Sequence, residues 1–257
     1  MNYETAKNYF EKFLNCNFDI SDKKISHKIN HTYNVVENAK YLCKCLKLDE
    51  VNTELAMIIA LLHDIGRFDQ AKEMQTFRED ITNFDHATLG VKLLFEKGEI
   101  KNYIGDKQFY LIIEKAIANH SKYILDETGM SNIEILHCKI IRDADKIDIF
   151  NIWANLDEME IKSDGEISLE VVNEFFEGKM IHNENKKTNA DNVIGTLSYI
   201  YDIFYKETFE YIDCQNFLNN LFERLEEKDK FKIFFDEADR YIKECKKGDK
   251  KYVRKKI

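Results

Sequence analysis

The chain has 257 residues, no proline and nine glycines, where ordinary usage predicts about 13 prolines. This excludes collagen-like, Pro-rich and Gly/Ser low-complexity architectures, and it argues against a β-sandwich or barrel, whose tight turns draw on those two residues. A net charge of −9 argues against a binder of nucleic-acid backbones.

The predicted elements are helices throughout. Residues 3–15 form a short amphipathic helix on Tyr9, Phe10, Phe13 and Leu14. Ser21 or Asp22 caps a second helix over about 23–47, with Val35, Ala39 and Leu42 on its apolar stripe. Residues 51–65 are the most apolar stretch and end at Gly66, which suits the C′ position after a helix. A polar stretch, 69–84, leads to Asp85, a candidate cap for a helix over 86–97. Gly98 and Gly105 mark a loop before a helix over 107–122, and 134–153 is a long helix striped by Ile140, Ile141, Ala144 and Ile147. Segments 167–177, 193–211 and 215–245 carry apolar residues at helical spacing, and 182–192 is a polar loop. The expected class is all-α, with a core of 1–154 and a helical extension of 155–257 packed on it and closing part of its pocket.

From Lys243 to Ile257 there are eight Lys/Arg and two acids, a basic tail of +6 on a remainder of −15; such runs are ordinarily solvated. The N-terminal stretch lacks the apolar run and cleavage site of a signal peptide, and no window reaches the 18 or so apolar residues of a membrane span. Six scattered cysteines without a Cys-x-x-Cys pair fit reduced thiols in the cytoplasm.

Chemistry concentrates on a few residues. His63-Asp64 ends the most hydrophobic helix, and a helix apolar all round is buried. A buried carboxylate must be paired or bound to a metal; Arg67 is one partner, and an Asp simply facing water is the alternative. His31 lies on the stripe of Val35, Ala39 and Leu42, and Asp145 follows Ala144 in an apolar helix. His120 is one turn after Ala116, and His86 opens a helix four residues before Gly90, whose missing side chain permits close approach. Together they offer imidazole and carboxylate ligands suited to Zn, Fe, Mn, Ni or Co.

The ordered set His31, His63-Asp64, Asp145, in the contexts HxxxVxxNAxxL, ALLHDIGR and RDADKID, resembles the signature of the HD-domain metal-dependent phosphohydrolase superfamily over roughly 20–150. The resemblance implies an all-helical bundle in which these four residues hold a divalent metal. His86 and His120 resemble the additional histidines of a two-metal branch, with Asp64 bridging. Many members of that branch carry adjacent histidines where this chain has His120-Ser121, so one or two ions are expected.

Such a site lowers the pKa of bound water so that hydroxide attacks phosphorus, while cations steady the phosphate. Arg67, Lys122 and Lys146 are candidates for that role, and for Arg67 and Lys146 a catalytic one beside Asp64; local acids Asp69, Asp143 and Asp148 are their alternative partners. His27 reads as a surface residue, His137 as structural, and the aromatic run 199–211 as core. The expected function is hydrolysis of a small phosphate ester, most plausibly a nucleotide, with neither membrane nor nucleic acid as partner. Two alternatives share the ligand pattern: an oxygenase resembling the two-iron HD-fold enzymes, and a non-enzymatic helical signalling module with a structural metal.

Overall fold

The computed structural model describes residues 1–74, 85–155 and 161–248. The polar stretch 69–84 lies outside the described residues from position 75, and the basic tail from position 249. The protein is all-α, with no strand among the described residues. The chain divides into two compact units, Met1–Asp145 and Lys146–Ile257, and the boundary falls within one helix.

In the first unit, α1 is Tyr3–Asn17, α2 Lys23–Cys45, α3 Glu50–Leu62 and α4 Ile65–Met74. They are followed by α5 (His86–Val91), α6 (Ile100–Tyr103), α7 (Tyr110–Asn119) and α8 (Asn132–Asn155). Short polar side chains set the starts. Asp22 accepts from the backbone of Lys24 and Ile25, Asp49 from Asn52, and Asp85 from Thr88, each satisfying an amide that the helix leaves unpaired. Of the two predicted caps for α2, Asp22 takes the position. Lacking a glycine at its end, α2 closes through Lys47 in the left-handed region (φ 56°).

The core forms around α3, which packs against α1, α2 and α7. Every residue from Leu55 to Leu62 is buried, and each of the larger aliphatic ones contributes about 1.5–3 kcal/mol by leaving water. The predicted stripes hold: Val35, Ala39 and Leu42 on α2, and Ile140, Ile141, Ala144 and Ile147 on α8, are all buried.

Three expectations need correction. Gly66 is not a terminal cap: the chain breaks at His63-Asp64 and re-enters a helix, and Gly66 is the second residue of α4. Its role is spatial. A Cβ there would stand 2.3 Å from the carbonyl oxygen of His86 and 2.9 Å from the amide nitrogen of Gly90, so α4 and α5 meet backbone to backbone. The stretch 86–97 is α only to Val91 and widens into a π-helical turn over Lys92–Glu96.

The segments 193–211 and 215–245 are likewise broken into shorter pieces. The second unit contains α9 (Leu169–Phe176), α10 (Asn189–Leu197), a 3₁₀ turn (Ser198–Asp202), α11 (Lys206–Cys214), α12 (Phe217–Glu223) and α13 (Lys228–Lys246). A capping box between Thr188 and Asp191 starts α10. The aromatic run contributes the buried Tyr201 and Phe209 to a cluster with buried Phe175 and half-buried Tyr241. Lys146 is buried with its ammonium 2.7 Å from Asp202, a fully buried carboxylate.

Candidate metal centre

Five successive elements of the first unit each deliver ligand atoms to one buried cluster. His31 comes from the middle of α2, His63 and Asp64 from the break between α3 and α4, His86 from the first position of α5, His120 from the residue after α7, and Asp145 from the middle of α8. The break at 63–64 turns the chain so that Asp64 immediately precedes α4, whose positive N-terminal end favours a carboxylate.

The two oxygens of Asp64 face different histidines. Oδ2 lies 3.6 Å from His31 Nε2 and 3.4 Å from His63 Nε2. Oδ1 lies 3.2 Å from His86 Nε2 and 3.4 Å from His120 Nε2. Asp145 Oδ1 joins the first set, 3.2 Å from His31 Nε2 and 3.9 Å from His63 Nε2. In the second set the two imidazole nitrogens are 2.9 Å apart.

Backbone carbonyls fix the tautomers. His63 Nδ1 donates to Ala60 O and His120 Nδ1 to Ile117 O, each at 2.7 Å. A carbonyl only accepts, so Nδ1 carries a proton in both rings and Nε2 faces the cluster. His63 Nε2 is fully buried and has no hydrogen-bond partner. Burial pushes His120 down to about 4, so its ring is neutral at neutral pH.

The carboxylates are charged. Burial by itself would raise Asp64, but the Lys28 ammonium and the His63 ring hold it well below the usual carboxylate range. Burial likewise opposes ionisation of Asp145, and the hydrogen bond and charge of His31 overcome it.

The donor set fits a divalent cation. Ligands about 2.1 Å from one ion stand about 3.0 Å apart at right angles and about 3.4 Å at the tetrahedral angle; the His86/His120 set spans 2.9–3.4 Å, and the His31/His63 set is wider, 3.2–3.9 Å. Buried imidazole lone pairs facing buried carboxylates are costly unless a positive charge stands among them. His31, His63 and Asp145 form one group able to hold an ion, and His63, Asp64 and His120 another. Borderline nitrogen donors combined with carboxylate oxygen suit a divalent transition metal.

The cations distribute unevenly. Arg67 holds its Nε 3.7 Å from Asp64 Oδ1 and donates to Gln70 at 2.8 Å. Lys146 is engaged by Asp202, an acid too remote in sequence for local reading to find. Lys122 is exposed, and its charge acts on Asp126. Sequence reasoning missed Lys28, whose ammonium contacts Asp64 Oδ2; its position three residues before His31, on the same helical face, was the available signal. It also missed Asn38, which donates across to Ala144 O at 3.0 Å and ties α2 to α8 beside Asp145. His137 is buried and structural, with Nε2 3.1 Å from Asn52 Oδ1.

An all-α bundle that gathers four imidazoles and two carboxylates into one cluster is a donor set that could hold a divalent metal. The HD domain family matches residues 29–149, and the superfamily of that domain consists mostly of metal-dependent phosphohydrolases. Among the curated proteins and the solved structures, none matches the chain. Among the described residues, no helix is long and apolar enough to cross a membrane.

Proposed function

We propose that the protein is a metal-dependent phosphohydrolase acting on a small phosphate ester, a nucleotide in the first instance, in which His31, His63, Asp64 and Asp145 would hold one divalent transition-metal ion and Asp64, His86 and His120 a second. The observation that carries the reading is the division of the Asp64 carboxylate, one oxygen facing His31 and His63 and the other facing His86 and His120. Asp145 completes the first set. Bound there, divalent ions supply Lewis acidity and a nucleophilic water at neutral pH.

The chain's own residues do the rest. The buried His63 and His120 rings, each held at Nδ1 by a backbone carbonyl, keep Nε2 aimed at the cluster without reorganisation. Lys28 and Arg67 both pair with Asp64 and keep part of their side chains exposed, 16% and 17%, so they stand where an anion approaches the cluster. We assign them the phosphate contact, since phosphoryl transfer depends on positioning and charge neutralisation. Lys146, engaged by Asp202, and the exposed Lys122 take a secondary place. An overall charge of −9 favours a small ligand over nucleic acid, and six free cysteines suit a reducing, cytoplasmic setting.

The test pairs elemental analysis of the purified protein with turnover of nucleoside phosphates and generic phosphodiesters by wild type and Asp64→Ala. Bound metal and turnover in the wild type, with both lost in the variant, are expected. Equal turnover by the two proteins ends the reading, and oxygen consumption without phosphate release moves the protein to the two-iron oxygenase class.

A further inference from the structure

Helix α7 stops at Asn119 without a glycine to close it, and His120 follows directly. The last carbonyls of a helix have no partner within it. Here Ile117 O takes the Nδ1–H of His120. The Asn119 and His120 carbonyls are taken from another helix: Nη1 of Arg142 donates to Asn119 O at 2.6 Å and to His120 O at 3.2 Å. Arg142 is 1% exposed and heads the fully buried side chains by volume. A buried guanidinium is costly unless its donors are satisfied, and the negative end of α7 is a favourable place for it.

Arg142 lies three residues before Asp145 on α8, on the same helical face. A single guanidinium nitrogen, Nη1, therefore joins the helix of one candidate ligand to the turn that carries another. The other half of the cluster has its own tie, the Asn38 bond to Ala144 O between α2 and α8.

We infer that Arg142 is a positioning residue for the metal centre: it sets His120 relative to Asp145 by holding the Asn119 and His120 carbonyls. The inference rests on the metal-site reading above. It makes the His86/His120 side depend on Arg142 and leaves the His31/His63/Asp145 side independent of it. Lysine is a poor replacement, because its ammonium sits on a shorter, flexible stem and is a strongly hydrated point charge, whereas the planar guanidinium is pre-organised.

The experiment uses the full chain and the variant Arg142→Lys, read first without metal by histidine-selective ¹⁵N NMR. Wild-type His120 and His63 are expected to show protonated Nδ1 and bare Nε2. In the variant, His120 is expected to shift toward the tautomeric average while His63 is unchanged. Mn²⁺ titration is then expected to weaken the ion on the His86/His120 side by about 10–100-fold, as loss of an outer-shell partner does, with the other ion unaffected. An unchanged His120 signal overturns the proposal, as does an equal change at His63, which would make Arg142 a general support of the core. Should Arg142→Lys lose its helical circular dichroism, Arg142→Gln is read instead, and loss of folding in both also overturns the positioning role. A wild type that binds a single ion refutes the two-ion reading, whereas the metal-free spectra still decide the role of Arg142.

Discussion

Replacing Gly66 by alanine isolates the contact that brings His86 to the centre. The added Cβ would lie 2.3 Å from His86 O, 2.9 Å from Gly90 N and 3.2 Å from His86 C, all backbone atoms that no rotamer change can move. Relief requires α5 to retreat by about 1 Å, and overpacking of that kind costs about 1–3 kcal/mol. The helix preference of alanine over glycine returns about 0.5–1 kcal/mol. A net loss in the middle of the resulting range, about 1–2 kcal/mol, corresponds to a fall in Tm of about 2–8 °C for a chain of this size. The larger effect falls on metal binding. His86 Nε2 stands 3.2 Å from Asp64 Oδ1 and 2.9 Å from His120 Nε2, and metal–ligand distances tolerate only about 0.2 Å. The variant should therefore lose the ion on the His86/His120 side while retaining the other. Differential scanning calorimetry and elemental analysis measure the two effects, with Gly105→Ala as control, because nothing lies within 4 Å of a Cβ there. A Gly66→Ala protein with wild-type Tm and metal content would refute the reasoning.

Two further outcomes follow from buried and half-buried charges. Burial pushes His137 down to about 4 from its ordinary 6.5, so between those values the unfolded chain binds a proton that the folded one does not. Stability should be insensitive to this residue above pH 6.5 and should fall as pH drops toward 4, by on the order of 3 kcal/mol in total. Urea titrations of wild type and His137→Gln across pH 7 to 4 should show a shallower decline in the variant, and identical slopes would dismiss the assignment. Lys28→Gln should raise KM for a phosphate ester about tenfold, the value of one charge-assisted contact of about 1.4 kcal/mol, while elemental analysis still finds bound metal; an unchanged KM removes Lys28 from the phosphate site.

Part of the candidate centre is legible in the amino-acid sequence because His31 and Asp145 lie on helices with regular apolar spacing. His31 shares a stripe with Val35 and Ala39, and Asp145 sits between buried Ala144 and Ile147, so periodicity alone points both inward. Gly90 signals a close approach, and the approach is there, with Gly66 as its other side. Gly66 itself is misleading because a glycine after an apolar run looks the same whether it caps a helix or makes room for a neighbour. The broken helices of the second unit mislead for a related reason: apolar spacing persists across a 3₁₀ turn such as Ser198–Asp202.

The sequence by itself determined the all-α class, the absence of proline from the long helices α2 and α8, and the residue types available as ligands, since these depend on local spacing and backbone chemistry. Only the tertiary structure decided how the ligands divide. The two oxygens of Asp64 face separate histidine pairs, Lys28 reaches Asp64 across 36 positions, Lys146 is engaged by Asp202, and Arg142 holds carbonyls 22 and 23 residues away. Periodicity reports which face of a helix is buried. Which atoms meet there is settled by close packing between helices, where a missing Cβ or a rigid guanidinium fixes positions to within an ångström.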